Sequence, residues 1–258
     1  MALAVLCAGN ARGAAPSYTA SGIVNASNYT PGPFAPNSVI SIFGSALARS
    51  AHALVAADLV SCSGSLGNRC LPLELNYVRV YVQGRPMPML FVSETQINFV
   101  MSSIEPAGTV NVWVVTEGLT GPEIAVTLVN AAPALFVLPG NVAIATDAAG
   151  KLLTADAPAH AGDIVVIYAT GLGMTSPNPS NGEIPMYAAS TLPSAALKVT
   201  LNGAAVDALY VKYAGLTPGC AGLYQINLEL PVGTPADPEI RVSAGSFLAP
   251  SGLTLPVR

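Results

Sequence analysis

The chain has 258 residues, of which 52% are apolar and only 9% charged, with a formal net charge of −4. Ten scattered basic residues form no stripe for a phosphate backbone, so nucleic acid is not expected as a partner. An ordinary soluble domain carries roughly 25% charged residues. Here the surface must be built largely from Ala, Gly, Pro, Ser, Thr and Asn, and few like charges oppose contact between copies.

Residues 1–19 differ in character from the rest of the chain. Ala2, Leu3, Ala4, Val5, Leu6, Cys7 and Ala8 form a short apolar run, followed by the small residues around Gly13 to Ala15. That pattern fits the apolar core and cleavage zone of a secretory signal, although the usual basic start is missing. The same run also suits an apolar strand lent to the sheet edge of a neighbouring copy. From Ser21 onward, short apolar segments alternate with Gly- and Pro-rich turns, the pattern of an all-β chain. Ser21–Val24 is expected to open the first sheet, Asn28–Pro33 to turn, and Val39–Phe43 to form the first core strand. Ala46–Leu71 is an insertion. Within it Cys62 and Cys70 flank a flexible segment, and a disulfide is expected between them; their spacing suits no zinc site. Cys7 and Cys220 are left over, free or paired.

Val78-Arg-Val-Tyr-Val-Gln-Gly84 alternates with period two, which points Val78, Val80 and Val82 inward and Arg79, Tyr81 and Gln83 outward. Gln83-Gly84 is expected to turn the chain into a hairpin returning along Pro88–Val92. Thr95–Met101, Val110–Val115 and Ile124–Val129 bring the total to about seven strands, as in an immunoglobulin-like sandwich. The longest uncharged stretch, Ile124 to Thr146, is interrupted by Pro133, Pro139 and Gly140, so no transmembrane segment is expected.

The order then repeats. Pro36-Asn-Ser-Val-Ile-Ser-Ile-Phe-Gly-Ser-Ala-Leu47 is echoed by Ala161-Gly-Asp-Ile-Val-Val-Ile-Tyr-Ala-Thr-Gly-Leu172, and Gln96-Ile-Asn98 by Gln225-Ile-Asn227. The offsets are 125 residues from Ser38 to Asp163 and 129 from Gln96 to Gln225, so the halves differ by loop insertions. In the second half strands are expected at Asp163–Ala169, Leu197–Leu201 with an Asn202-Gly203 turn, Val206–Val211, Leu223–Leu228, Ile240–Val242 and Leu253–Val257. The fold class is therefore all-β: two tandem immunoglobulin-like β-sandwiches related by internal duplication. The expected domains are 20–138 and 139–258.

Several of these stretches, taken in order, carry a family resemblance: Ile23-Val-Asn-Ala-Ser-Asn-Tyr-Thr-Pro-Gly32, Ser38-Val-Ile-Ser-Ile-Phe-Gly44, Thr95-Gln-Ile-Asn98, Gly162-Asp-Ile-Val-Val-Ile-Tyr-Ala-Thr-Gly-Leu-Gly173 and Gly222-Leu-Tyr-Gln-Ile-Asn227. Over residues 20 to 258 the chain resembles a family of uncharacterised C-terminal modules of secreted acidobacterial (Solibacter-type) proteins. The resemblance implies tandem sandwiches related to IPT/TIG domains, secreted and non-enzymatic, with no catalytic residues to carry over.

The residues themselves offer little chemistry. His52 and His160 lie in an insertion and a turn, and no Gly-x-Ser-x-Gly elbow exists. Gly171-Leu-Gly173 lacks the third glycine of a dinucleotide loop and reads as a backbone corner with positive dihedrals. Asp147, Asp156 and Asp163 lie close in sequence without the alternating ligands of a calcium loop. No metal, cofactor or enzymatic activity is expected. The Gln-Ile-Asn triplets are expected to satisfy backbone groups where the chain changes sheets.

Trp113 faces outward from Val110-Asn-Val-Trp-Val114, and in an immunoglobulin-like topology its strand neighbours that of Tyr81. Arg79, Tyr81 and Trp113 are therefore a candidate binding patch for sugars or a protein contact. The leading functional expectation is an extracellular structural protein. It would self-associate, with residues 2 to 8 adding as a strand to a neighbour's sheet, or dock on a cell-surface protein. The alternative is a carbohydrate-binding or adhesion module using the patch.

Overall fold

A computed structural model describes residues 13–63, 67–192 and 196–258. The described residues are all-β, with 3-10 turns as their only helical structure. The first half contains β1 (Ser17–Asn25), β2 (Val39–Ser45), β3 (Val78–Val82), β4 (Met89–Val92), β5 (Gln96–Val100), β6 (Gly108–Thr116) and β7 (Ile124–Leu128). One sheet runs β1-β2-β5-β4, edged by His52–Ala53; the other runs β7-β6-β3, edged by Arg85–Pro86. This is the strand order of an immunoglobulin-like sandwich. The inward residues of both sheets, among them Ile40, Ile42, Val78, Val80, Val82, Ile97, Phe99, Val112 and Val114, form one buried cluster.

The second half contains β8 (Ile164–Thr170), β9 (Leu197–Leu201), β10 (Val211–Leu216), β11 (Tyr224–Glu229), β12 (Glu239–Ala244) and β13 (Leu253–Thr254). Its sheets run β8-β11-β10, with Ala134–Leu135 and Ala145–Asp147 pairing with β8, and β13-β12-β9. A separate buried cluster, including Val165, Ile167, Tyr224, Ile226 and Val242, fills the space between them. The duplication extends to register: Ile42 faces Ile97 and Phe43 faces Gln96, while Ile167 faces Ile226 and Tyr168 faces Gln225.

Two expected strands fall elsewhere. Gln83-Gly84 does turn the chain, but the return strand is Arg85–Pro86; Met89–Val92 crosses to the opposite sheet and pairs with β5. Pro86 and Pro88 lack the N–H donors that a continued ladder needs, so the chain leaves the hairpin there. In the second half Asp207 accepts a bond from the Leu209 N–H (2.9 Å) and caps a 3-10 turn over Ala208–Tyr210. The strand expected at Val206–Val211 therefore begins only at Val211.

The Gln-Ile-Asn triplets also act differently from expectation. Gln96 Nε2 donates to Asn98 Oδ1 (2.9 Å), as Gln225 Nε2 does to Asn227 Oδ1 (3.0 Å), and Ser41 Oγ donates to Asn98 Oδ1 (2.8 Å). These side chains bond one another along the outward face, because alternation puts i and i+2 on one side of the strand.

Tyr18 ties β1 to the opposite sheet. Its hydroxyl donates to the Pro122 carbonyl (2.6 Å) and accepts from the Val114 N–H (2.8 Å). Burial pushes the phenol up to about 12, against the opposing effect of the Val114 bond.

Candidate functional site

The outward face of β3 and β6 carries the patch expected from sequence. Trp113 lies directly opposite Tyr81 in register, and their rings stack with centroids 5.4 Å apart and planes 12° apart. Both side chains are half-buried, and Arg79 is exposed and ion-paired with Glu74. Each ring turns one face toward the other, which leaves only the outer faces for a ligand. On the same face Asn111 Nδ2 donates to Glu123 Oε1 (2.6 Å). The patch is thus an aromatic pair flanked by hydrogen-bonding and charged groups.

A second candidate feature is the seam between the sandwiches, and the insertion builds much of it. Cys62 and Cys70 form the expected disulfide, closing a small hairpin whose arms are Val60–Ser61 and Arg69–Cys70. This hairpin binds the second half edge to edge. The Leu71 N–H donates to the Gly182 carbonyl (2.8 Å), and the Ile184 N–H donates to that of Arg69 (2.9 Å). Between them Glu183, only 6% exposed, accepts from Asn68 Nδ2 (2.7 Å) at Oε1 and from the Ser180 N–H (2.9 Å) and hydroxyl (2.8 Å) at Oε2. Burial alone would raise this carboxyl, but the bonds from Ser180, Asn68 and Tyr187 outweigh it and hold Glu183 below its ordinary range.

The other side of the seam is the end of β8. Thr170 Oγ1 accepts from the Val39 N–H (3.0 Å) and donates to the Gly222 carbonyl (3.2 Å). The chain then turns through Gly171 (φ 74°) and Gly173 (φ 91°), the positive dihedrals expected of this corner. The Gly171 carbonyl accepts from the Ala132 N–H (2.8 Å), and a side chain at Gly173 would lie 2.7 Å from the Asn130 carbonyl. The buried Tyr224 hydroxyl donates to the Gly173 carbonyl. The connecting segment is thereby held against the corner.

The other expected sites are more scattered. Residues 2 to 8, Cys7 among them, lie outside the described residues. Cys220 is exposed and forms no disulfide among the described residues. His52 Nε2 lies 2.9 Å from Asp58 Oδ2, a pairing that sequence reading missed; that bond, with one from the Val55 N–H, lowers the Asp58 carboxyl. His160 sits 3.6 Å from Asp163. Among the described residues neither ring bonds a hydroxyl or thiol. Asp147 is occupied by the Ala149 and Lys151 N–H groups (both 2.9 Å), and no cluster of three His, Cys, Asp or Glu occurs among the described residues. No helix among the described residues is long and apolar enough to cross a membrane.

Glu183 and Asn68 were missed because neither belongs to a periodic segment. The one available signal was that the insertion has no counterpart in the second half.

No protein-family model matches the chain, and no curated protein sequence matches it. Among solved structures it is similar to a surface glycan-binding protein from Prevotella bryantii (11% identity, 84% of this chain, 36% of the other, TM-score 0.27). It is also similar to a mixed-linkage glucan utilization protein of Bacteroides ovatus in complex with a heptasaccharide (10%, 86% and 44%, TM-score 0.33). A third is domains 5–6 of the S-layer protein SbsC (10%, 87% and 91%, TM-score 0.25). The chain spans between about a third and a half of the length of the first two.

Proposed function

We propose that the chain is a secreted, non-enzymatic structural unit: two sandwiches held in one orientation that join further copies or dock on a cell-surface partner. The observation that carries this reading is the seam. A flexible tether would serve if the halves acted independently, whereas a disulfide hairpin, the buried and hydrogen-bonded Glu183 carboxylate and a glycine corner fix their geometry. The disulfide suits an oxidising compartment outside the cytosol.

Assembly proceeds by strand addition. β1 is an edge strand whose pairing with β2 is interrupted between Tyr18 and Ile23. Between it and β7 runs a groove of about 350 Å³, lined by Ala20, Ile23, Phe34, Val126 and Val129. On its outer side β1 is bridged at Val24 by Pro31 and has no ladder partner over Ser17–Ile23 among the described residues. An edge open over that length beside an apolar groove accepts an extended apolar segment, and residues 2 to 8 of a second copy have that character. Sedimentation of the full chain should give multimers and that of a chain lacking residues 1–12 folded monomers. Identical sedimentation of the two would refute the strand-addition step.

A second reading is favoured by the Tyr81–Trp113 stack, which suits a glycan ring or a protein contact on its outer faces. Trp113→Ala should then abolish binding of the cell-surface ligand while leaving the far-ultraviolet dichroism unchanged.

A further inference from the structure

A cleft of about 740 Å³ opens where the Ser103–Ala107 loop of the first sandwich meets the Gly173–Met174 and Ala244–Phe247 turns of the second. That volume lies within the usual range for small-ligand sites. Glu105 lines it with a side chain only 5% exposed, and its Oε1 has no hydrogen-bond donor. A buried carboxylate oxygen left without a donor is costly, so this carboxylate has hydrogen-bonding capacity to spare. Arg85 Nε lies 3.6 Å from the same oxygen, beyond hydrogen-bond reach yet close enough to balance the charge. The pair therefore asks for neutral donors rather than a cation.

The other walls are of two kinds. Met174, Leu192 and Phe247 give apolar faces, while Asn130, Asn178 and Ser246 give uncharged donors and acceptors. Asn178 already uses its Oδ1 to accept from Asn37 Nδ2 (3.5 Å), so its own amide N–H groups remain to donate. Neutral hydroxyl groups around a ring with apolar C–H faces match both kinds of wall.

From this the geometry points to a saccharide-binding site in the inter-sandwich cleft, with Glu105 accepting from ring hydroxyls and Phe247 covering a ring face. This site is separate from the Tyr81–Trp113 patch and does not depend on assembly. The test is ligand-observed NMR of the full chain with cello-, xylo-, manno- and chito-tetraose. The natural chain should bind at least one of them, and Glu105→Gln should weaken that affinity about ten- to a hundredfold, the loss expected for a charge-assisted hydrogen bond. Ser246→Trp, at an exposed rim position, should block binding whether or not Glu105→Gln folds, and Val232→Ser, at an exposed position outside the cleft lining, should leave it unchanged. Absence of binding by all four sugars overturns the site. So does binding that survives Ser246→Trp, or that is lost only with Trp113→Ala, or binding of the amine putrescine in place of the sugars.

Discussion

At Tyr18 a single hydroxyl serves two partners on the opposite sheet, so its removal leaves the Val114 N–H and the Pro122 carbonyl both short of a bond. Tyr18→Phe should lower unfolding free energy by about 1 to 3 kcal/mol, measured by urea denaturation. Gly171 makes a sharper demand. A side chain there would collide with the Ala132 carbonyl, and the φ of 74° costs an L-residue about 1 to 2 kcal/mol before any collision. Gly171→Ala should therefore destabilise by at least that amount in the same assay, whereas Gly118→Ala, in an open turn, should show the dihedral cost alone.

Among the elements, the disulfide hairpin works as a latch. Its arms are two residues each, too short to stand as a sheet of their own, and the crosslink keeps Arg69–Leu71 extended for pairing with Gly182–Ile184. Cys62→Ser with Cys70→Ser should cost about 2 to 3 kcal/mol and open the segment near Leu71 to proteolysis, while both sandwiches keep their β dichroism. The sequence made the strands legible because inward valines alternate and the halves repeat. The Cys62–Cys70 crosslink was legible too, but what the hairpin grips was concealed, since docking of Glu183 on Asn68 depends on where two aperiodic loops meet. Prolines 86 and 88 redirected one expected strand, and the Asp207 cap shortened another. Alternation together with the expected immunoglobulin-like strand order put Arg79, Tyr81 and Trp113 on one face, but the mutual stacking of the rings needed the cross-strand register.

The molecule as a whole should respond to pH at both ends. The Glu183 carboxyl is held below its ordinary 4.5, so the stability it lends is present above that value and lost as pH falls through the lowered folded value. Small-angle scattering should show the particle lengthening or broadening in that acid window, and Glu183→Gln should remove the pH dependence. At the alkaline end Tyr18 is raised from 10.0 to about 12, and burial raises Tyr213 as well. Their contributions are complete below pH 10 and lost as pH climbs toward the folded values. Unfolding monitored by dichroism should therefore set in above pH 10, as these two phenols ionise.

Among the described residues, only the first repeat possesses the cystine-bearing insert and only the second offers the receiving loop around Glu183. Grip and handle are thus divided between unlike partners, and a further module grafted after the second would swing freely for want of anything to clasp it. Duplication followed by one-sided elaboration has made a pair with a direction, a front member that holds and a rear member that is held.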